Sequence, residues 1–321
     1  MTISIALCTY NGERYFQEQL DSIAAQTRLP DELVVCDDGS QDSTVAILEE
    51  FARSAPFPVH ITINPNNLGS TQNFAQAVSL CRHDLIFLSD QDDVWRADKI
   101  EKMHAVFAAQ PNVGLVFTDA DVVNEHLQPQ GRRLWQHAQF GPKQQNQLHQ
   151  GMAFELLCDR NVVTGATTAF RAQFKPLVLP IPEGVVLIHD GWVALIVSAY
   201  ATLAFLPEPL ILYRQHEAQQ MGTRAGQRPR VLPQAHYRAH LNQLKAVALR
   251  LHDSGAEQDN PRFVQRGRRI QAQIRHLQGR LALPAAPGRR LFLMLLELTT
   301  GGYHRFSNGW RSFARDLLHG A

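Results

Sequence analysis

Cysteine is scarce. Cys8, Cys36, Cys81 and Cys158 are the only four in 321 residues, and no two form a Cys-x-x-Cys pair. Spacing this wide argues against a zinc ribbon or a disulfide framework, and three of the four sit in apolar, strand-like surroundings. Buried thiols in a reducing cytoplasm are expected. Long hydrophobic runs are missing as well. No 18 consecutive apolar residues occur, so no membrane-spanning helix is expected. The start, Met1-Thr2-Ile3-Ser4-Ile5-Ala6-Leu7, lacks the basic opening of a signal peptide and reads as a strand. Internal repeats and low-complexity tracts are also absent. Charge of one sign is not in excess overall, at a formal +1. That total conceals a polarity. Residues 224–321 carry 17 Arg and Lys against 5 Asp and Glu, or +12, and the first 223 carry 14 against 25, or −11. A basic tail on an acidic body is expected to meet an anionic surface or the body itself.

What is present is alternation. Ile3–Leu7, Leu33–Cys36, Val59–Ile63 and Leu85–Leu88 are short apolar runs with the length of buried strands. Between them, 14–26, 42–51 and 71–80 have helical periodicity. The order β-α-β-α-β-α-β predicts a parallel sheet with helices on both faces. At this length one large α/β domain plus an appendage is expected. Further on, 97–109 reads as a helix and 113–117 as a fifth strand, with Asp119 and Asp121 in a hairpin turn. The stretch 128–150 reads as a long surface connection. Residues 162–170 are β-prone but interrupted by Gly165, which suggests a bulge or a ligand close to the backbone. His189-Asp190-Gly191-Trp192 opens an apolar helix, with His189 and Asp190 on opposite sides of an extended lead-in. Residues 203–206 and 210–213 read as strand on either side of Pro207 and Pro209. A linker over 221–233 precedes basic helices at 236–251, 262–283 and 289–298.

Several strands end in polar residues. The fourth runs into Ser89-Asp90-Gln91-Asp92-Asp93, three carboxylates within four residues, and the second into Asp37-Asp38-Gly39-Ser40. In an open α/β sheet, ligands bind beyond the carboxyl ends of the strands. Packed carboxylates repel one another, so a cation is the expected occupant. An acidic turn that caps the next helix gives the same letters, and for Asp190 alone a helix-capping role is the ordinary reading.

Seven motifs in order resemble the family 2 glycosyltransferases. They are Thr9-Tyr10-Asn11-Gly12, Asp37-Asp38-Gly39-Ser40, Asn67-Leu68-Gly69, Leu88 to Asp93, Thr164-Gly165-Ala166, His189-Asp190-Gly191-Trp192 and Tyr213-Arg214-Gln215-His216. The Asp-Gln-Asp-Asp-Val-Trp and His-Asp-Gly-Trp forms are most similar to the bacterial rhamnosyltransferase-like branch. The resemblance covers about residues 2–220. It implies a GT-A fold with a mostly parallel central sheet flanked by helices, and an α-helical C-terminal extension. Residues 1–222 would form the catalytic domain, with the nucleotide-sugar side at about 1–120 and the acceptor side at about 121–222. Residues 223–321 would form the basic extension. The implied activity is inverting transfer of a sugar, rhamnose from dTDP-rhamnose in this branch, to a glycan or lipid-linked hydroxyl in cell-surface polysaccharide synthesis. The donor would be dTDP- or UDP-linked, and no nucleic acid is expected as a partner.

The resemblance also implies roles. Thr9, Tyr10, Asn11, Glu13, Asp38, Gly69, Asn73, Asp90, Gln91 and Gly165 would bind the donor. Asp38 would accept from the pyrimidine ring nitrogen. Asp92 and His216 would hold Mn²⁺ or Mg²⁺ against the diphosphate. Asp190 would be the catalytic base, although many relatives carry an acidic pair where His189 stands. Trp192 and His189 would touch the acceptor, Trp192 as a flat apolar wall. The cytoplasmic protein would meet an anionic inner membrane face through its tail. Two other readings compete. Residues 85–94 also fit the opening of haloacid-dehalogenase-type phosphatases, which need a downstream Lys where none occurs between Lys175 and Lys245. A non-catalytic nucleotide-sugar-binding protein would keep the same motifs.

Overall fold

A computed structural model describes residues 1–217, 219, 233–253 and 261–319. The chain divides into two compact units. One is Met1–Ile181 with Ile188–Ala225, and the other is Pro182–Leu187 with Gly226–Ala321. The expected linker at 221–233 lies largely outside the described residues.

The first unit alternates as the apolar runs require. Its elements are β1 (Ile3–Thr9), α1 (Phe16–Ala24), β2 (Glu32–Asp37), α2 (Thr44–Ser54), β3 (Val59–Ile63), α3 (Ser70–Leu80), β4 (Leu85–Ser89), β5 (Val94–Trp95), α4 (Lys99–Ala109) and β6 (Val113–Val123). There follow β7 (Pro129–Arg133), α5 (Leu134–Ala138), α6 (Pro142–His149), α7 (Ala153–Asp159), β8 (Thr168–Arg171), α8 (Lys175–Val178), α9 (His189–Tyr200) and β9 (Thr202–Arg214). One sheet runs β3-β2-β1-β4-β8-β6-β9-β5, with β7 added on β6. β1, β2, β3 and β4 pair in parallel, β8 runs antiparallel to both β4 and β6, and β6 and β9 are parallel. β1, β2 and β4 are buried along their whole length, so both sheet faces are covered and their sequences need not alternate. Strand order reverses between β1 and β4, and such a switch point opens a crevice at the carboxyl ends.

Four expectations are corrected. Residues 128–150 are not a loose connection but hold β7, α5 and α6. Trp135 and Phe140 pack edge-on at 4.8 Å and surround Phe117 and Phe205, so two aromatic anchors do what a periodic stripe does elsewhere. Asp119 and Asp121 lie inside β6 and not in a hairpin turn. Asp119 accepts from the Trp135 N–H at 3.0 Å, and Asp121 pairs with Arg96 and Arg133. Pro207 and Pro209 do not break β9, because the β6–β9 register slips beside them and no ladder N–H is needed there. Gly165 opens a single 3-10 turn, Gly165–Thr167, and not a bulge.

The second unit contains α10 (Pro233–Asp253), α11 (Pro261–Leu281), α12 (Pro287–Thr299), α13 (Gly302–Phe306) and α14 (Trp310–His319). Among its buried apolar side chains lies a polar cluster. The Arg280 guanidinium, almost fully buried, donates to both Asp316 oxygens at 2.7 Å and also to Tyr237 and Ser307. Such a fork fills a buried carboxylate's acceptor sites in a way an ammonium cannot. The short segment 182–187 belongs to this unit, with the Leu187 N–H donating to Gln243 Oε1 at 3.2 Å.

Candidate active site

The crevice between β1 and β4 is lined by turns that hold one another. Gln91, just past β4, accepts from the Thr9 hydroxyl at 2.6 Å and the Tyr10 N–H at 2.8 Å, and its amide donates back to the Tyr10 carbonyl. A Cβ at position 12 would lie 2.3 Å from Gln91 Oε1, so any larger residue there would push the Gln91 amide out of this network. Asn11 ties its N–H to Ser40 Oγ and its Oδ1 to the Gln41 N–H, and Glu13 accepts from the Ser43 N–H ahead of α2. Asp37 accepts from the Gly39 and Ser40 N–H groups, a turn closed by its own side chain. Asp38 does different work. It is buried, and its carboxylate takes the Leu68 N–H at 2.8 Å, the Gly69 N–H at 2.9 Å and the Asn64 amide at 3.0 Å. It therefore anchors the 67–69 turn, whose Gly69 adopts φ +79° beside open space. Asn73 bridges Asn64 and the Cys36 carbonyl and is buried. Thr9 and Asn73 thus face inward and organise the pocket. They do not line it, contrary to expectation.

The acidic cluster is divided by environment. Asp93 is fully buried, accepts from the Arg214 N–H at 3.0 Å, and leaves Oδ2 without a hydrogen bond. Lys99 supplies a buried counter-charge. Its ammonium donates to the Ala166 carbonyl at 2.7 Å and lies 3.5 Å from the centre of the Trp95 ring. Burial pushes Asp93 well up and Lys99 well down, and each one's charge opposes the other's shift. Asp90 is half-buried at the strand end. Burial first, then the Asp92 and Asp190 charges, push its carboxyl up to about 7, with Lys99 opposing. Asp92 Oδ2 lies 2.8 Å from His216 Nε2, both side chains being mostly buried. Arg214 fixes that meeting. It donates from Nε to the Asp92 carbonyl, reaches Glu125 and Glu18, and lies over the Tyr15 ring, which itself rests against His216.

Asp190 stands in the first turn of α9. Its Oδ2 accepts from the Gly165 N–H at 3.0 Å, its Oδ1 from the Asn161 amide at 3.4 Å and from the Gly191 N–H. Burial nonetheless pushes its carboxyl up to about 6, against those hydrogen bonds. Gly165 makes room for the pair: a Cβ there would lie 2.9 Å from His189 Nε2 and 3.3 Å from Asp190 Cβ. His189 is helical and not on an extended strand. It is buried, stacks on Phe74 at 3.9 Å, and burial lowers its pKa to about 3. A neutral ring packed on Phe74 does not present a face to an acceptor. Trp192 is a plain correction, being wholly buried with its Nε1–H donating to the Val178 carbonyl at 2.8 Å. Residue 192 follows two side chains of the site, yet the helix turns it into the core.

Asp90, Asp92, His216 and Asp190 are therefore brought to one place, with Tyr10 tied to the same loop through Gln91. Lys99, Asn161 and Arg214 were not assigned roles from the sequence. Arg214 was in view as a motif letter. Lys99 carried one weak signal, a lysine among the apolar residues Trp95, Ile100 and Met103. No group of three or more His, Cys, Asp and Glu converges on a metal position among the described residues. Asp92 and His216 do fit two neighbouring positions on one ion. Adjacent ligands of an octahedral ion are about 3 Å apart, and these two atoms already face each other at 2.8 Å.

Fold and site together define a GT-A nucleotide-sugar enzyme architecture. Residues 4–167 match glycosyl transferase family 2, just over half of the chain, and the chain belongs to that family. That membership sets aside the phosphatase alternative. Among curated relatives, the dTDP-rhamnosyl transferase RfbG of Shigella flexneri is 30% identical over 230 residues, 67% of this chain and 73% of that protein. An uncharacterized Mycobacterium tuberculosis protein is 28% identical over 216 residues, 67% of this chain but only 59% of its own length. Staphylococcus aureus TarS 1–349 in complex with UDP-GlcNAc shares the fold, with a TM-score of 0.63, 16% identity, and coverage of 99% of this chain and 93% of that one. The mannosyltransferase PcManGT of Pyrobaculum calidifontis, solved with GDP-Man and Mn²⁺, has a TM-score of 0.50 at 16% identity, covering 99% of this chain and 87% of that one.

Proposed function

We propose that this chain transfers a sugar from a nucleoside diphosphate donor to a hydroxyl, with inversion at the anomeric carbon. The observation that carries the proposal is the placement of Asp190, close enough to the acidic cluster for its charge to act on Asp90, yet held by donors from Gly165 and Asn161. In this reading the diphosphate lies over the carboxyl ends of β1 and β4. Tyr10 is at the base, and Asp38 shapes the wall through the 67–69 turn. Asp92 and His216 would hold Mn²⁺ or Mg²⁺, which when bound supplies positive charge to the departing diphosphate. Asp190 takes the proton from the acceptor hydroxyl. The oxygen bonds to the anomeric carbon as the bond to the diphosphate breaks on the opposite side. The acidic pocket itself repels a dianionic donor, which gives the cation a second task in binding.

Rhamnose from dTDP-rhamnose is the proposed donor, on the likeness to the Shigella flexneri transferase. The proposed acceptor is a glycan or lipid-linked hydroxyl in cell-surface polysaccharide synthesis, met at the cytoplasmic side. The test is transfer from dTDP-rhamnose with Mn²⁺, beside donor titration, for Asp190→Asn and His189→Ala. Asp190→Asn is expected to cut turnover by at least about 10² with donor affinity near wild type. Transfer that survives Asp190→Asn but is lost in His189→Ala would place the base elsewhere. A protein that binds the donor without turnover would be a nucleotide-sugar-binding protein instead.

A further inference from the structure

Two helices of the second unit, α12 and α14, are turned inside out. The unit holds Arg280, Asp316, His276 and Ser307 in hydrogen-bonded contact. Leu244, Val247, Ile270 and Leu277 of α10 and α11 are buried as well, but on α12 and α14 the large apolar side chains are mostly on the outside. In α12, Met294 alone is buried, while Leu291, Phe292, Leu293, Leu295 and Leu296 are exposed, Phe292 at 61%. At 100° per residue these five sweep more than half of the helix circumference. In α14, Ser312 and Asp316 point inward, and Trp310 (62%) and Leu318 (73%) point out together with Leu317. A soluble helix has the opposite arrangement. The two helices pack together, with Arg290 Nη1 donating to the Leu317 carbonyl at 3.3 Å. Two packed helices therefore expose eight large apolar side chains between them, more than the singly scattered ones that need no explanation.

The charges along this stretch are mostly of one sign. Between 287 and 319 the sequence holds Arg289, Arg290, Arg305, Arg311 and Arg315 but only two carboxylates. Both are engaged, Glu297 with His276 and Asp316 with Arg280. The arginines thus outnumber the carboxylates along this stretch.

We infer that α12 and α14 form a monotopic membrane-docking face, with Phe292, Leu296, Trp310 and Leu318 immersed among acyl chains and the arginines at the phosphates of an anionic bilayer. The inference rests on the second unit alone and does not depend on the sugar-transfer reading. Neither helix can span. α12 has 13 residues, about 20 Å of helix, against a hydrocarbon core of about 30 Å. A helix lying in the interface with an apolar face down and arginines beside it fits these proportions. A second copy of the chain fits worse. A two-fold contact places the same patch on both sides and so brings arginines against arginines.

The structure supplies its own reporter. Of the four tryptophans, Trp95, Trp135 and Trp192 are buried and Trp310 is the exposed one. The full chain, mixed at low salt with phosphatidylglycerol–phosphatidylcholine vesicles, is expected to co-sediment with them. Its emission should shift to the blue, brominated lipid should quench it, and Trp310→Phe should remove both changes. Phe292→Glu with Leu296→Glu is expected to weaken partitioning roughly 100-fold. Arg289→Glu with Arg311→Glu should weaken it roughly 20-fold and abolish the preference for phosphatidylglycerol. All four positions are exposed, so unchanged circular dichroism should accompany the losses, as should unchanged transfer to a water-soluble acceptor. Wild-type protein that stays in the supernatant without a Trp310 shift overturns the inference. So does a solution dimer that ignores vesicles and that Phe292→Glu with Leu296→Glu dissociates, since a second copy would then occupy the face.

Discussion

Asp190 and Asp92 meet different electrostatic demands, and each gives a distinct experimental signature. Burial lifts the Asp190 carboxyl to about 6, so below that pH it carries a proton and could not act as the proposed base. Turnover with a hydroxyl acceptor is therefore expected to rise with pH through an acid limb near 6. His189, lowered to about 3, cannot supply that limb, and a pH–rate profile of His189→Ala should retain it. A limb that vanishes in His189→Ala would contradict the assignment. Asp92 faces His216 at 2.8 Å among like charges. Asp92→Ala relieves repulsion and opens no apolar cavity, so the melting temperature should hold. Titration with nucleoside diphosphate should then lose its Mn²⁺ dependence. Mn²⁺-dependent affinity equal to wild type would remove Asp92 and His216 from any metal role.

The head of α9 and the 3-10 turn before β8 form one device, and its tolerance is small. Gly165→Ala places a methyl 2.9 Å from the His189 ring, which Phe74 blocks from behind. Overpacking of this kind costs about 1–3 kcal/mol. Thermal melts should register that loss, and transfer should fall more than donor affinity because the turn also donates to Asp190. A fully active, equally stable Gly165→Ala would show that α9 has slack. This element also marks how far the sequence could be read. β1, β2 and β4 were legible because strands buried on both faces are continuous apolar runs. The carboxylates past β4 followed from that strand's end, so Asp90 and Asp92 could be named together, whereas Asp190, a helix cap on its residues alone, was reached only through the family resemblance. The place of β8 between β4 and β6 was not legible, since four residues carry no mark of their neighbours or direction. Nor were the inward turns of Thr9, Asn73 and Trp192. Their partners, Gln91, Cys36 and Val178, are set by the fold and not by spacing. The 128–150 stretch misled because its packing depends on a few aromatics and not on a period.

At the scale of the whole molecule, the chain forms two units, an acidic sheet with an apolar core and a basic helical unit that buries a polar cluster among apolar side chains. That cluster is vulnerable. Asp316→Ala leaves the Arg280 guanidinium buried without its counter-charge and is expected to destabilise the helical unit by about 3–5 kcal/mol. Calorimetry or hydrogen exchange over α11–α14 measures this, and unchanged protection there would mean that Tyr237 and Ser307 suffice. The two units are not consecutive beads, because residues 182–187 leave the first, join the second at Gln243, and return immediately before Asp190. Cutting the gene at the obvious boundary would therefore excise Gln243, the partner of the six residues that precede the proposed base. A shortened protein that binds donor yet transfers nothing would report a slackened tether and not a missing acceptor site. The informative deletion keeps α10.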